Sequence, residues 1–387
     1  MRSVCERPIS DFATINESTY RGEGTVKYLD TGNITSGIIN EIQTYGCLSD
    51  APSRARRKVL CGDIVYSTVR PNQKHYGYIC KETEELVVST GFAVISVHDE
   101  TVNPKYVYYY LSQDNITDYL QSIAEQSTSA YPSITSDDIG ELAIPLPDRA
   151  TQDKIVNILD SISDLMSLNR LINDYLVKIG KAVFEKLQDN ASIHCTISDV
   201  AKEIICGKTP STSVEEYYGN EIPFITIPDM HNSIAIVTTE RMLSSHGAIS
   251  QNRKMLPRHS ICVSCIATPG LVSVTTTPSQ TNQQINSIIC NDNISPFYMY
   301  YLMESLSDTI INLGSGGSAT LNLSKAQFSQ IEIDIVPNDK MTCFEKNMNP
   351  ILEMIESNLR VNSQLSKLRD FLLPKLMSGE IDISNLI

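Results

Sequence analysis

Cys262 and Cys265, in HSICVSCIATP, are the chain's single C-x-x-C, the spacing with which thiolates open a zinc site or a redox pair. No second pair and no His doublet is placed to complete four ligands. Apolar alternation around them reads as a strand, which turns the two sulfurs to opposite faces, so both are expected to be buried apolar thiols. The other cysteines follow no regular spacing. CGKTPS resembles the end of a phosphate-binding loop, but G-x-x-x-x-G-K-[ST] needs Gly at 202, where Lys202 stands. The six histidines, His75, His98, His194, His231, His246 and His259, show no metal-ligand spacing. No G-x-S-x-G elbow occurs, and GSGGS (314–318) reads as a flexible turn. These residues indicate no catalytic constellation, no metal and no cofactor.

Recognition chemistry is better represented. In RARRKVLCGDIVYSTVRPNQKHYGYI (54–79), Arg54, Arg56, Arg57 and Lys58 form a dense basic run, and Arg70, Asn72, Gln73, Lys74, His75 and Tyr76 follow on a loop. The second half offers Lys208 and Thr209 in GKTPSTSVEEYYG, Arg253 and Lys254 in QNRKMLPRH, and Thr281, Asn282, Gln283 and Gln284 in PSQTNQQINS. Arg and Lys suit phosphates and guanine edges, while Asn and Gln suit adenine, so these are DNA-binding candidates. A merely solvated loop has a similar composition.

The net charge of −14 argues against a protein that coats nucleic acid through bulk positive charge. Residues 1–150 hold 13 Lys and Arg against 20 Asp and Glu, and residues 191–337 hold 7 against 12. A DNA ligand would therefore need phosphate contacts from a partner, or cations focused on one face. With 387 residues, 41% hydrophobic and 20% charged, the chain fits a soluble globular protein of two or three domains. No signal peptide is apparent and no apolar window approaches a membrane span. A cytoplasmic protein without a membrane partner is expected.

The elements that must position these side chains come in two copies. ISDFA (9–13) returns as ISDVA (197–201), and NPKYVYYYL (103–111) as SPFYMYYLM (295–303). Asn103 or Ser295 is set to cap a helix, with Pro104 or Pro296 at its first position. SITSDDIGELAIPLP (133–147) matches NLSKAQFSQIEIDIV (322–336) at an offset of 189. Leu142, Ile144 and Leu146 answer to Ile331, Ile333 and Ile335 as a half-buried strand, and Ser324 with Gln327 has capping-box spacing.

The same offset relates two long helical segments, 153–187 and 342–376, on which a heptad can be written. One row holds Ile155, Ile162, Asn169, Leu176 and Val183, the other Ile158, Leu165, Ile172 and Ile179. Their counterparts are Phe344, Ile351, Asn358, Leu365 and Leu372, and Asn347, Met354, Val361 and Leu368. Asn169 and Asn358 thus interrupt equivalent apolar rows, as register-setting polar residues do in coiled coils. Pattern alone leaves the direction of pairing open. Pro350 places the start of the continuous second helix, and Pro374 predicts a kink or an end. The strand-like runs GDIVYSTV, ELVVSTGFAVISV, IPFITIP and SICVSCIA give each globular unit a β-rich mixed body. The fold class is α+β. The expected order is a first unit over 1–147, a helical segment over 148–190, a second unit over 191–337 and a second helical segment over 338–387.

This duplicated plan resembles the specificity subunit of type I restriction-modification enzymes. The resemblance rests on LAIPLPDRATQDKIVNILDSI closing the first unit, ISDVAKEIICGKTPSTSVEEYYGNEIPFITIPDM opening the second, and the terminal LLPKLMSGEIDIS. The family's Glu-Gln pair before the helix survives here only as Thr151-Gln152, and the second copy reads DKMTCFEK instead. The resemblance implies a non-catalytic, DNA-reading subunit whose two target-recognition domains each read half of a split double-stranded target. It implies that the helices pair as an intramolecular antiparallel coiled coil setting the spacing. It also implies two copies of a methyltransferase (modification) subunit, which uses S-adenosylmethionine, and restriction subunits that add ATP-driven translocation and cleavage; this chain would bind neither cofactor. A helix of about 35 residues spans roughly 50 Å, on the order of 15 base pairs, enough to hold two reading units more than one duplex turn apart. A coiled-coil interaction scaffold without DNA specificity is the alternative.

Overall fold

The opening strand of each repeat closes on the strand that ends it. In the computed structural model, which describes residues 5–80, 83, 85–127, 131–231, 233–314 and 322–383, Cys5–Pro8 pairs antiparallel with Ala143–Leu146, and Ile193–Thr196 with Glu332–Ile335. The expected alternation is present, with Leu142, Ile144 and Leu146 and their counterparts Ile331, Ile333 and Ile335 all buried. Asn103 caps helix Pro104–Leu111 through Lys105 N, and Ser295 caps Pro296–Ser305. Ser324 with Gln327, and Thr135 with Asp138, form capping boxes ahead of the closing strands.

The chain divides into two compact units, one of residues 1–164 and 366–387, the other of residues 165–365. In unit 1, Ala13–Ile15, Phe92–Val97, Ile64–Ser67 and Tyr76–Tyr78 form one antiparallel sheet. A second sheet has the order Gln43–Tyr45, Val26–Leu29, Leu86–Ser89, Ala55–Lys58, which puts the basic strand on its edge. In unit 2, Ala201–Cys206, Ile285–Cys290, Ile261–Ser264 and Val272–Thr275 repeat the first sheet's strand order, with Ala235–Ile236 added. Cys262 and Cys265 lie in different apolar clusters, as strand alternation requires. Burial pushes their thiols up to about 12 and about 11.

Two helices of 40 residues each, α1 (Arg149–Gln188) and α2 (Asn338–Met377), carry the bodies. Gln152, 1% exposed, sews α1 to the body of unit 1. Its Nε2 donates to Thr101 O and Pro147 O, and its Oε1 accepts from Asn103 N. α2 does not begin at Pro350; it starts at Asn338 and passes through the proline. Met341, Phe344 and Met348 continue the buried stripe into Leu352 and Ile355, and each large apolar side chain so buried contributes about 1.5–3 kcal/mol. Together they outweigh the roughly 3 kcal/mol cost of one internal proline, whose ring lies on the exposed side. Pro374 falls in the last turn, three residues before the helix ends.

The helices pair antiparallel. In unit 2, Asn169 Nδ2 donates to Asn362 Oδ1 at 2.8 Å, and Asn358 Nδ2 to Asn173 Oδ1 at 2.8 Å, so the partner number falls as the other rises. Asn362 Nδ2 also reaches Met166 O (3.0 Å) and Asn173 Nδ2 reaches Ile355 O (3.3 Å). In unit 1, Ile155, Val156 and Leu159 share a core with Leu373, Leu376 and Met377. One written row of the heptad differs from the structure. The buried partners of Ile155, Ile162 and Asn169 are Leu159, Met166 and Asn173, not Ile158, Leu165 and Ile172. On α2 they are Met348, Ile355 and Asn362, while Asn347, Met354, Val361 and Leu368 are exposed. Val183 is also exposed, and Phe184 takes the inward position.

Candidate nucleic-acid interface

Alternation along the edge strand Ala55–Lys58 buries Ala55 and turns Arg56 and Lys58 to solvent, with Arg54 exposed just before it. Arg57 is half-buried, and burial lowers its guanidinium pKa. The following loop is a 3-10 turn, Pro71–Gln73, bounded by Arg70 at φ +49° and Lys74 at φ +55°. Two left-handed non-glycine residues in one turn are uncommon and strained, a feature that concentrates at functional sites.

This turn leaves Arg70, Asn72 and Gln73 exposed, with the Arg70 guanidinium 5.0 Å from the Tyr131 ring centroid. Lys74 is held by Asp114 at 2.7 Å, and that hydrogen bond raises its pKa. His75 Nδ1 lies 2.6 Å from Ile34 O. Tyr76 is not available to DNA. It is 6% exposed, packs against Tyr66, and donates its hydroxyl to Ser112 O, and burial pushes its phenol pKa up. Its alternation in strand Tyr76–Tyr78 points it inward.

In unit 2 the loop after Ala201–Cys206 lies against strand Gln280–Thr281. Gly207 N donates to Ile285 O and Lys208 N to Thr281 O. A Cβ on Gly207 would collide with the Asn282 carbonyl and the Thr281 hydroxyl, so the approach requires glycine. Thr281 and Asn282 are buried, at 0% and 8% exposure, and are corrected from base-reading candidates to supports. Asn282 braces Gln284 by two hydrogen bonds, Nδ2 to Oε1 and Gln284 N to Oδ1. Gln283 projects outward beside exposed Lys208, and its Oε1 accepts from Thr209 Oγ1 at 2.7 Å. Gln280, fully buried, donates to the carbonyls of Ala248 and Gln251. It thereby holds the turn that carries exposed Arg253 and half-buried Lys254.

Arg54, Arg56, Lys58, Arg70, Lys208 and Arg253 are all exposed, and none makes an ion pair with another described residue. Each unit therefore presents exposed cations with no ion-pair partner among the described residues, beside amide side chains, the combination suited to phosphate contact and base-edge reading. Asn173, Asn362 and Gln280 escaped the sequence reading. The two asparagines had a signal, since they stand one repeat offset apart; Gln280 had none. Among the described residues no cluster of His, Cys, Asp or Glu is arranged to hold a metal ion. No described helix is long and apolar enough to cross a membrane.

The chain matches the model of the type I restriction modification DNA specificity domain twice, over residues 3–176 and 194–366. It is 34% identical to the type I restriction enzyme HindI specificity subunit of Haemophilus influenzae, over 92% of this chain and 94% of that one. It is 28% identical to the MjaIX specificity subunit of Methanocaldococcus jannaschii over 44% of this chain and 40% of that one. Its fold is similar to the crystal structure of a type I restriction-modification S subunit from M. genitalium, with a TM-score of 0.54, 16% identity, and 97% of each chain covered. The duplicated bodies, the paired helices and these matches together place the chain in the family of type I restriction-modification DNA specificity subunits.

Proposed function

We propose that this specificity subunit reads a double-stranded DNA target in two parts, one per repeat. Residues 1–147 and 191–337 are the reading domains, and 148–190 and 338–387 the helical spacer that fixes their separation. The observation that carries this reading is the contrast between matched frames and unmatched surfaces. The two bodies share closing strands, capped helices and central strand order, yet present Arg54, Arg56, Lys58, Arg70, Asn72 and Gln73 in one and Lys208, Thr209, Arg253 and Gln283 in the other. The subunit works in the cytoplasm as the recognition part of a complex in which methyl transfer and cleavage belong to partner subunits.

The outer helix faces support docking of two modification subunits. Leu165 and Ile179 on α1 are about half exposed, as are Met354 and Leu368, their counterparts on α2. Two equivalent apolar rows outside the seam suit two equivalent partners. Sequencing the methylome with and without this gene tests the function. Loss of one bipartite methylated motif is expected, and an unchanged set of motifs would refute the reading.

A further inference from the structure

Glu356 lies on α2, 98 residues from its main ion-pair partner, with a fully buried side chain. Its Oε2 accepts from Arg258 at 2.8 Å and from Arg360 at 3.2 Å, and its Oε1 lies 3.1 Å from His259 Nε2. A carboxylate taken fully out of water is retained only when its partners compensate the lost hydration, and here three side chains converge on it. All of them belong to unit 2.

The cluster grips the body where two central strands meet the helix. Arg258 and His259 lie three and two residues ahead of strand Ile261–Ser264, and Arg360 also donates to Thr276 O, just past strand Val272–Thr275. His259 is held at φ +66°, a left-handed conformation that costs a non-glycine residue energy. Its backbone is fixed by His259 N donating to Thr275 O, and the next residue by Ser260 N donating to Thr275 Oγ1. From Thr276 the chain runs directly into Gln280, which holds the Arg253 turn, and on to Gln283. One continuous path of chain and hydrogen bonds therefore leads from the helix carboxylate to the candidate reading side chains.

Among the described residues the device has no counterpart at the repeat-equivalent positions. The repeat offset places Ser167 and Leu171 of α1 opposite Glu356 and Arg360. Unit 1 instead ties its body to α1 through Asp160, which is bound by Lys105 at 2.7 Å and by the Tyr109 hydroxyl at 2.8 Å.

We propose that Glu356 is the positioning residue of the second reading domain, fixing the angle at which that body rides on α2, so that recognition of one half-site depends on it and recognition of the other does not. This rests on the two-part reading above. The test uses the full-length chain assembled with its modification subunit and methylation of duplexes carrying single-base changes in either half. Exchanging residues 1–147 for those of a relative identifies which half belongs to unit 2.

With Glu356→Gln, discrimination should fall by about tenfold or more in the unit 2 half, since small misplacements of recognition groups are costly, and stay unchanged in the other half. Glu356→Asp should restore part of it. Arg360→Met leaves the carboxylate two partners and should show a smaller loss confined to the same half, which keeps the proposal testable if the glutamine variant does not assemble. Equal losses in both halves, or none in either, would overturn it. A wild-type complex that does not discriminate in two halves would instead overturn the function proposed above.

Discussion

Replacing Asn169 by Leu removes the donor that meets Asn362 Oδ1 at 2.8 Å and leaves that acceptor facing an apolar side chain. Both residues are less than a tenth exposed, so each single change, Asn169→Leu or Asn362→Leu, carries the penalty of an orphaned buried group, about 1–3 kcal/mol. The double variant orphans neither, so its stability should exceed the sum of the single effects by about 2 kcal/mol or more. The same arithmetic fixes register. Sliding α2 by one heptad sets Asn169 against Ile355, Asn173 against Ile351, Asn358 against Met166 and Asn362 against Ile162, four orphaned amides at about 4–12 kcal/mol together. Urea unfolding followed by circular dichroism on wild type, both singles and the double measures the coupling. Additive effects, or singles that stabilise as much as half the double, would refute the account of the pairs as register locks. All four asparagines changed to Leu should give a more stable seam whose methylated motif has more than one spacer length.

Gly207→Ala should destabilise unit 2 by about 1–3 kcal/mol through overpacking against the Asn282 carbonyl, seen as a lower urea midpoint and weaker selectivity in one half-site. Arg54→Ala and Arg70→Ala should each lower the slope of log affinity against log salt by about 1 in a DNA-shift titration of the complex; unchanged slopes would exclude phosphate contact. Iodoacetamide at neutral pH should modify exposed Cys61, Cys80 and Cys343 and spare Cys262 and Cys265 until the chain unfolds, as peptide mass mapping would show. Hydrogen bonds from the Thr101 side chain and backbone, with help from Arg7, hold the Asp99 carboxyl at about 2. Because that value is depressed, its stabilising contribution is present above the ordinary aspartate range and is lost as pH falls toward 2. Asp99→Asn should flatten that part of an acid-unfolding curve.

Local patterns were legible because they are local. The Asn103 and Ser295 caps, the closing strands and the strand around Cys262 each depend on residues a few positions apart. The phase of the coiled coil was not. α1 has adjacent apolar pairs at Ile158–Leu159 and Leu165–Met166, so rows on two faces both satisfy a heptad, and only the antiparallel partner decides which is buried. The misassigned row is mostly the exposed one that supports docking. Composition likewise marked the amide-rich turn at 281–284 without distinguishing Gln283, which faces out, from Thr281 and Asn282, which face in. Glu356 had no distinguishing signal: Arg258 and His259 lie 98 and 97 residues away in sequence, and its i, i+4 pair with Arg360 ordinarily reads as a surface pair.

The distribution of partners resolves how so acidic a chain can read DNA. Arg7, Lys105, Arg149, Arg258 and Arg360 are engaged by Asp99, Asp160, Asp153 and Glu356, where they hold bodies and helices together. Among the described residues, the exposed cations without such partners include those on the candidate reading strand and loops. Sequence-independent affinity grows with each phosphate neutralised, so a net charge of −14 disfavours adhesion to arbitrary DNA while the exposed cations of each unit stay free to meet a phosphate locally. What counts for a reader facing a whole genome is the ratio of specific to non-specific binding. Weak bulk attraction raises that ratio, provided that a docked partner contributes the phosphate contacts this chain forgoes.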